Sequence, residues 1–288
     1  MHCGSPLGIR VAPEASELRC EGCRQVYAVR NGIVILGEAA NPQDYPAEIY
    51  DLLASVETRH FWFKGRNRMI LAALREALGD LAGHSALELG CGTGIVLSAL
   101  EREGMQVVGV DMHLEGLLHA RKRVRGCLVQ SGGPEVSFAT GFDSVLLCDV
   151  IEHISDDVSA LRQASLSLAG GGALLVTVPA DSTLWTPVDT ASGHKRRYSR
   201  ETLVQAMESA GLRVCDARYF NVLLRPALRL QRSRMKKLPA SFSTIQEALT
   251  VPPRPLNVVL SAAMAADVFL SRAPFVRGGS LIAVGRRK

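Results

Sequence analysis

Two carboxylates and two imidazoles have the types and spacing for chemistry: Asp149, Glu152 and His153, with His194 farther along. If a helix or turn starts at Asp149, steps of three and four residues bring the first three to one face. With His194 returning beside them, they make a general acid/base set or a site for a divalent ion that binds a substrate hydroxyl. A structural role, with both histidines holding loops through hydrogen bonds, is the competing reading. Upstream lies Leu87-Glu88-Leu89-Gly90-Cys91-Gly92-Thr93-Gly94, followed by the helix-like run Ile95–Leu100. Strand, glycine turn and helix let backbone approach a ligand closely and aim unpaired N–H groups at it. A second apolar strand then ends in Asp111, placed to accept hydrogen bonds from ribose hydroxyls.

A dinucleotide fingerprint needs glycine at position 95, which is Ile95. The run E-x-G-x-G-x-G instead resembles motif I of the class I S-adenosylmethionine (SAM)-dependent methyltransferases. The resemblance continues through Asp111, through Gly141–Ile154 as a fourth strand and its exit, and through Leu168–Ala180 as a glycine turn and fifth strand. It covers roughly residues 60 to 220 and implies SAM as cofactor. Its binding residues would be Glu88, Gly90, Cys91, Gly92, Thr93, Gly94, Asp111, Met112, Cys148 and Asp149. The implied fold is α/β, a Rossmann-like seven-stranded sheet, mostly parallel, with the last strand antiparallel. The third strand departs from the family: Leu128-Val129-Gln130-Ser131 has no following Asp to read the adenine amino group.

Outside the cofactor motif, His60-Phe61-Trp62-Phe63-Lys64-Gly65-Arg66 resembles an "H-x-W-F-x-x-R" helix that caps the pocket in related enzymes. Adjacent Phe61, Trp62 and Phe63 cannot share one helix face. Trp185, Asp189 and Gly193-His194-Lys195-Arg196-Arg197-Tyr198 resemble a "D…GHkRRY" segment of methyltransferases acting on lipids, quinones or saccharides. The implied catalytic candidates are His194, His153 and Glu152. The implied acceptor-binding residues are Trp62, Trp185, Asp189, Arg196, Arg197 and Tyr198. Arg196 and Arg197 suit a phosphate or carboxylate, or pair with Asp189. The series Asp149, Glu152, His153 and His194 is similar to the "ExxEH plus distal His" metal site of some small-RNA and quinone O-methyltransferases, with Asp149 in place of the leading Glu.

The elements around these motifs divide the chain in three. Residues 1–38 resemble a degenerate zinc ribbon: Cys20 and Cys23 form one knuckle, while only Cys3 remains of the other. Residues 39–58 read as a proline-bearing linker and entry helix, and residues 59–288 as the methyltransferase domain. Within it, residues 220–278 are expected to form a helical insertion, a substrate lid, between the sixth and seventh strands. The chain's net charge of +5 hides an asymmetry. Residues 1–193 carry 15 Lys/Arg against 23 Asp/Glu, a balance of −8, and residues 194–288 carry 18 against 5, a balance of +13. The C-terminal third is thus expected to face something anionic.

With seven cysteines in 288 residues, no apolar leader and no apolar run of about 18 residues, the expected setting is reducing and cytoplasmic, without a transmembrane segment, with contact to the inner face of an anionic membrane. The function expected is methyl transfer from SAM to a small-molecule or lipid-linked acceptor. The alternatives are an RNA methyltransferase using the ribbon and the basic third, and a non-catalytic SAM-fold partner protein.

Overall fold

The computed structural model describes residues 16–19, 24–36, 47–132, 141–273 and 275–288. Its strands are β1 (Glu17–Arg19), β2 (Val26–Arg30), β3 (Ile33–Ile35), β4 (Ser85–Leu89), β5 (Gln106–Asp111), β6 (Cys127–Gln130), β7 (Phe142–Cys148), β8 (Leu168–Pro179), β9 (Leu212–Phe220) and β10 (Ser280–Arg287). The helices are α1 (Ala47–Val56), α2 (Phe61–Leu78), α3 (Ile95–Arg102), α4 (Leu114–Arg121), α5 (Asp157–Leu166), α6 (Pro187–Ala191), α7 (Arg200–Ser209), α8 (Arg225–Met235), α9 (Phe242–Ala248) and α10 (Arg254–Leu270). Single 3₁₀ turns lie at Ile151–His153 and Ser182–Leu184.

All ten strands join one sheet in the order β1-β2-β3-β6-β5-β4-β7-β8-β10-β9. Parallel pairing of β5 and β7 with β4 brings Leu89, Asp111 and Cys148 to the same carboxyl edge, where α/β sheets bind ligands. Successive strand residues face opposite cores, as the two-residue period requires. Leu87, Val145 and Val176 enter one core, and Ala86, Leu146 and Leu175 the other. Burial on both faces explains why these strands read as continuous apolar runs.

Among the described residues the sheet has ten strands, seven from residues 85–287 and three from the N-terminal segment. β3 pairs in parallel with β6, Ile33 opposite Leu128, so β1–β3 extend the main sheet. The β2–β3 turn uses Asn31 and Gly32, both at positive φ, as a two-residue hairpin demands. Ile33 and Val34 bury almost completely, so apolar contact with the sheet holds this hairpin. Cys3, Cys20 and Cys23, the expected zinc ligands, lie outside the described residues.

The insertion folds as α8, α9 and α10. α8 crosses α6 and the segment before it, with ion pairs Arg225–Asp181 at 2.6 Å and Arg232–Asp189 at 3.0 Å. α10 lies on α2 so closely that a Cβ on Gly65 would stand 2.5 Å from Met264 Cε. Asn257 Oδ1 accepts from Phe61 N at 3.0 Å, and its Nδ2 donates to Arg59 O at 2.8 Å.

Candidate functional site

The glycine turn is shaped by its neighbours. Gly90 has φ 75°, and a Cβ there would stand 2.5 Å from Val150 Cγ2, so the turn packs directly on the exit of β7. Gly92 is also left-handed (φ 49°), but only the Tyr50 ring, 4.0 Å away, approaches where its Cβ would be. The turn is therefore tight against the sheet and open above Gly92. Asp111 closes it from the side: Oδ2 accepts from Gly92 N at 2.8 Å and Oδ1 from His113 N at 2.9 Å. Burial pushes the Asp111 carboxyl up, opposed by these amides. Each oxygen keeps a lone pair for a further donor.

Two partly buried arginine pairs fasten the entry helices to this edge. Thr93 Oγ1 donates to Glu57, Arg123 pairs with Glu57 at 2.6 Å, and Arg123 also donates to Ala54 O at 2.8 Å. The end of α1 is thereby tied to the glycine turn and α4. In α2, His60 caps the helix by accepting from Trp62 N, Phe63 turns inward, and Phe61 and Trp62 stay half-buried. Arg66 lies 5.0 Å from the Trp62 ring and pairs with Asp149, which takes a left-handed conformation (φ 58°) just past β7.

Beneath that pair is Glu88, 2 % exposed, with Oε2 lacking a hydrogen-bond partner. Burial pushes its carboxyl up to about 8, against the pull of Arg66, so it carries its proton at neutral pH. A carboxyl raised in the fold stabilises fully below the unfolded value near 4.5 and loses that contribution as pH rises through 8. Glu88→Gln removes this titration. Denaturant unfolding from pH 5 to 8 is expected to show wild type losing up to about 1.4 kcal/mol per pH unit relative to the variant. Parallel curves would contradict the assignment.

Past Asp149 the chain makes one 3₁₀ turn, which carries Glu152 and His153 to the segment returning through His194. Lys195 N donates to Glu152 O at 2.8 Å and fixes that return. Donor atoms of Glu152, His153 and His194 lie within 4.8 Å of one another. The two rings meet edge to face, centroids 4.8 Å apart. Glu152 is fully buried, neither carboxyl oxygen has a hydrogen-bond partner, and burial with the nearby Asp149 charge drives its pKa well up. Burial and His194 lower His153 to about 4, so it is neutral at pH 7. His194 Nδ1 contacts Asp189 Oδ1 at 3.2 Å, which leaves Nε2 as the free ring nitrogen.

The structure thus gathers Glu88, Gly90, Cys91, Gly92, Thr93, Gly94, Asp111, Met112, Cys148 and Asp149 at one sheet edge, with Glu152, His153 and His194 next to it. Trp62 borders the edge through Arg66. The acceptor-binding expectations fare differently. Arg197, its side chain 2 % exposed, spends its guanidinium on Asp189 at 2.6 Å and Ala180 O at 2.9 Å. Tyr198 Oη donates to Asp157 at 2.6 Å inside the core, and Arg196 pairs with the same carboxylate at 3.0 Å. Asp189 is fully enclosed by its donors. Asp189, Arg197 and Tyr198 frame the site with their bonding groups turned inward, whereas the Arg196 side chain is 34% exposed. Trp185 is half-buried, with Nε1 donating to Thr190 Oγ1 at 3.3 Å. Gln130 ends β6 and Ser131 follows it, both buried, with residues 133–140 outside the described set. Sequence reasoning missed Glu57, Arg66, Arg123 and Arg232 as site-building residues. Only Arg66 had a local signal, one turn after Trp62 in the aromatic helix motif.

Comparison with known proteins bears on the family and the fold. Residues 58–217 match the family described as Methyltransferase domain. The ubiquinone biosynthesis O-methyltransferase of Escherichia coli O127:H6 is 32% identical over 127 residues, 41% of this chain and 53% of that protein. That of Escherichia coli O9:H4 is 31% identical over 136 residues, 44% of this chain and 57% of its own length. The chain thus spans about half the length of these relatives. Among solved structures, the [4+2]-cyclase SpnF superposes with TM-score 0.54 at 20% identity, covering 88% of this chain and 99% of that one. Haemonchus contortus phosphoethanolamine N-methyltransferase 2, in complex with phosphomonomethylethanolamine and S-adenosylhomocysteine, gives 0.53 at 18%, covering 85% and 58%. These likenesses establish the fold. With more than half of its length matched and the glycine edge built as described, the chain belongs to the methyltransferase-domain family, with the class I SAM-dependent fold.

Proposed function

We propose that the protein transfers the methyl group of SAM to a hydroxyl of a small-molecule acceptor, an intermediate of lipid, quinone or saccharide type. The observation that carries this reading is adjacency: the open glycine turn with Asp111 and the Glu152–His153–His194 cluster meet at the exit of β7, only Asp149 to His153 apart. The oxygen acceptor is supported by the curated relatives, named as O-methyltransferases of ubiquinone biosynthesis.

The transfer breaks the S–CH₃ bond of the sulfonium and forms an O–CH₃ bond. The bonding pair stays on sulfur and the acceptor hydroxyl loses its proton. Alignment and exclusion of water supply most of the rate, because positive charge is dispersed in the transition state. Asp111 holds the cofactor's ribose, and the turn above Gly92 gives it room. His194 takes the acceptor proton at Nε2, while Asp189 orients the ring and stabilises the imidazolium. His194→Ala is expected to slow transfer by about 10²–10⁴-fold with SAM affinity unchanged. Equal losses in both would make His194 a structural residue.

A second reading is favoured by the buried Glu152 carboxyl, whose oxygens lack partners. One carboxylate and two imidazoles fit a divalent transition-metal ion better than magnesium. Glu152, His153 and His194 would hold such an ion, which would make a substrate hydroxyl more acidic. Asp189 then sets the His194 tautomer for ligation as well. Titration with zinc or manganese is expected to show one site per chain, lost in Glu152→Gln and in His194→Ala. Unaltered metal binding by both variants would exclude it. The acceptor itself is sought by incubating extracts with the protein and isotopically labelled SAM, then locating the label by mass spectrometry.

A further inference from the structure

Helix α10 is apolar on both of its long faces. Its inner face is spent on α2: Asn257 holds Phe61, Ser261 O accepts from Arg68, and Met264 fills the notch at Gly65. The opposite stripe, Val258, Val259, Ala262, Ala266 and Phe269, repeats at helical spacing and is exposed throughout. Val258 is 67%, Val259 64% and Phe269 73% exposed, and Phe275 just beyond the helix 95%. A helix apolar all round is ordinarily enclosed, and a contiguous exposed apolar stripe marks an interaction surface.

Charge identifies the occupant. Arg254 begins the helix and Arg277 follows it, Arg272 between them pairs with Glu76 at 2.6 Å, and Lys64 and Arg68 flank the helix on α2. The segment leading into α8 is joined to it, because Asp267 accepts from Val222 N at 2.6 Å and Leu223 N at 3.2 Å. α8 continues with exposed Arg229 and Arg234 and then Lys237, none in an ion pair among the described residues. Asp267 is buried under those amides, leaving Glu247 as the other acid between residues 220 and 278. A second copy of this chain docked face to face would oppose cation to cation.

We propose that α10 and α8 form a docking surface for an anionic phospholipid bilayer. The helix lies in the interface plane, apolar stripe among the acyl chains and flanking cations at the headgroups. It cannot cross: α2 occupies its inner face, and no helix among the described residues is long and apolar enough to span a membrane. The mouth of the site comes close to the bilayer, because Asn257 ties the first turn of α10 to the start of α2, next to Trp62 and Arg66. This inference goes beyond the transfer reaction and stands without it.

The full chain is tested by co-sedimentation with vesicles of phosphatidylcholine alone or mixed equally with phosphatidylglycerol. Binding to the mixed vesicles is expected, weakening with salt, and at least about tenfold weaker to phosphatidylcholine, since each engaged cation contributes about fivefold. Val258→Glu/Phe269→Glu is expected to lower binding at least about tenfold, both side chains leaving the acyl region. Should that variant misfold, judged by circular dichroism, Arg229→Glu/Arg234→Glu supplies the same readout through the anionic component. The proposal is overturned if wild type binds neither vesicle or if a folded variant binds like wild type. A dimer dispersed by Val258→Glu/Phe269→Glu, with no vesicle binding, would assign the face to a second copy instead.

Discussion

Asp189→Ala is expected to cost about 3–5 kcal/mol of folding stability, because it strips the counter-charge from buried cations. One carboxylate, fully buried, accepts from Thr186 N at 2.8 Å, Arg197 Nη2 at 2.6 Å, Arg232 Nη1 at 3.0 Å and His194 Nδ1 at 3.2 Å. Its loss leaves the Arg197 guanidinium enclosed without compensation and frees α8 from the segment that carries His194. His194, the arginines and the Thr186 amide hold the Asp189 pKa well below the usual carboxylate range, against its burial. A carboxylate lowered in the fold stabilises above its unfolded value near 3.8 and loses that contribution as pH falls through the folded value. The gap between wild type and variant should therefore be full at neutral pH and narrow in strong acid. Thermal unfolding checks both points, with a drop on the order of 10 °C expected at pH 7. A drop within about 2 °C would mean that the arginines find other partners.

Asp111→Ala should weaken SAM binding by about 10²-fold or more. The side chain holds the Gly92 and His113 amides, and two charge-assisted hydrogen bonds to ribose hydroxyls are worth about 1.5–3 kcal/mol each, where about 1.4 kcal/mol is tenfold. Asp111→Asn separates charge from shape. It keeps one acceptor oxygen in the same volume, so its loss should be smaller than that of Ala. Equal losses in the two variants would point to collapse of the turn rather than loss of ribose contacts.

The glycine turn and Asp111 were legible because their signals are local: strand, glycines, helix and a second strand ending in an acid. The spacing of Glu152 and His153 was legible for the same reason, although the chain makes a 3₁₀ turn where a helix was one option. The supports were not. Arg66 meets Asp149 across 83 residues, Thr93 meets Glu57 across 36 and Arg232 meets Asp189 across 43. Nothing in the run of basic residues from Arg225 to Lys237 distinguishes Arg232, which turns inward to a carboxylate, from Arg229 and Arg234, which remain in solvent. The Arg197–Asp189 pair was one of the two readings the sequence left open, whereas Tyr198 read as ligand-facing until its partner Asp157 was in place. The merging of β1–β3 with the main sheet depends on β6 having a free edge for β3, a property of the assembled strands.

The most direct measurement is calorimetric titration of the full chain with SAM and S-adenosylhomocysteine, alongside Asp111→Ala. The geometry of the turn requires saturable binding of both ligands at one site, largely lost in the variant. A chain that takes up neither ligand at millimolar concentration, or binds them equally well without the Asp111 carboxylate, would contradict a cofactor held across the glycine turn.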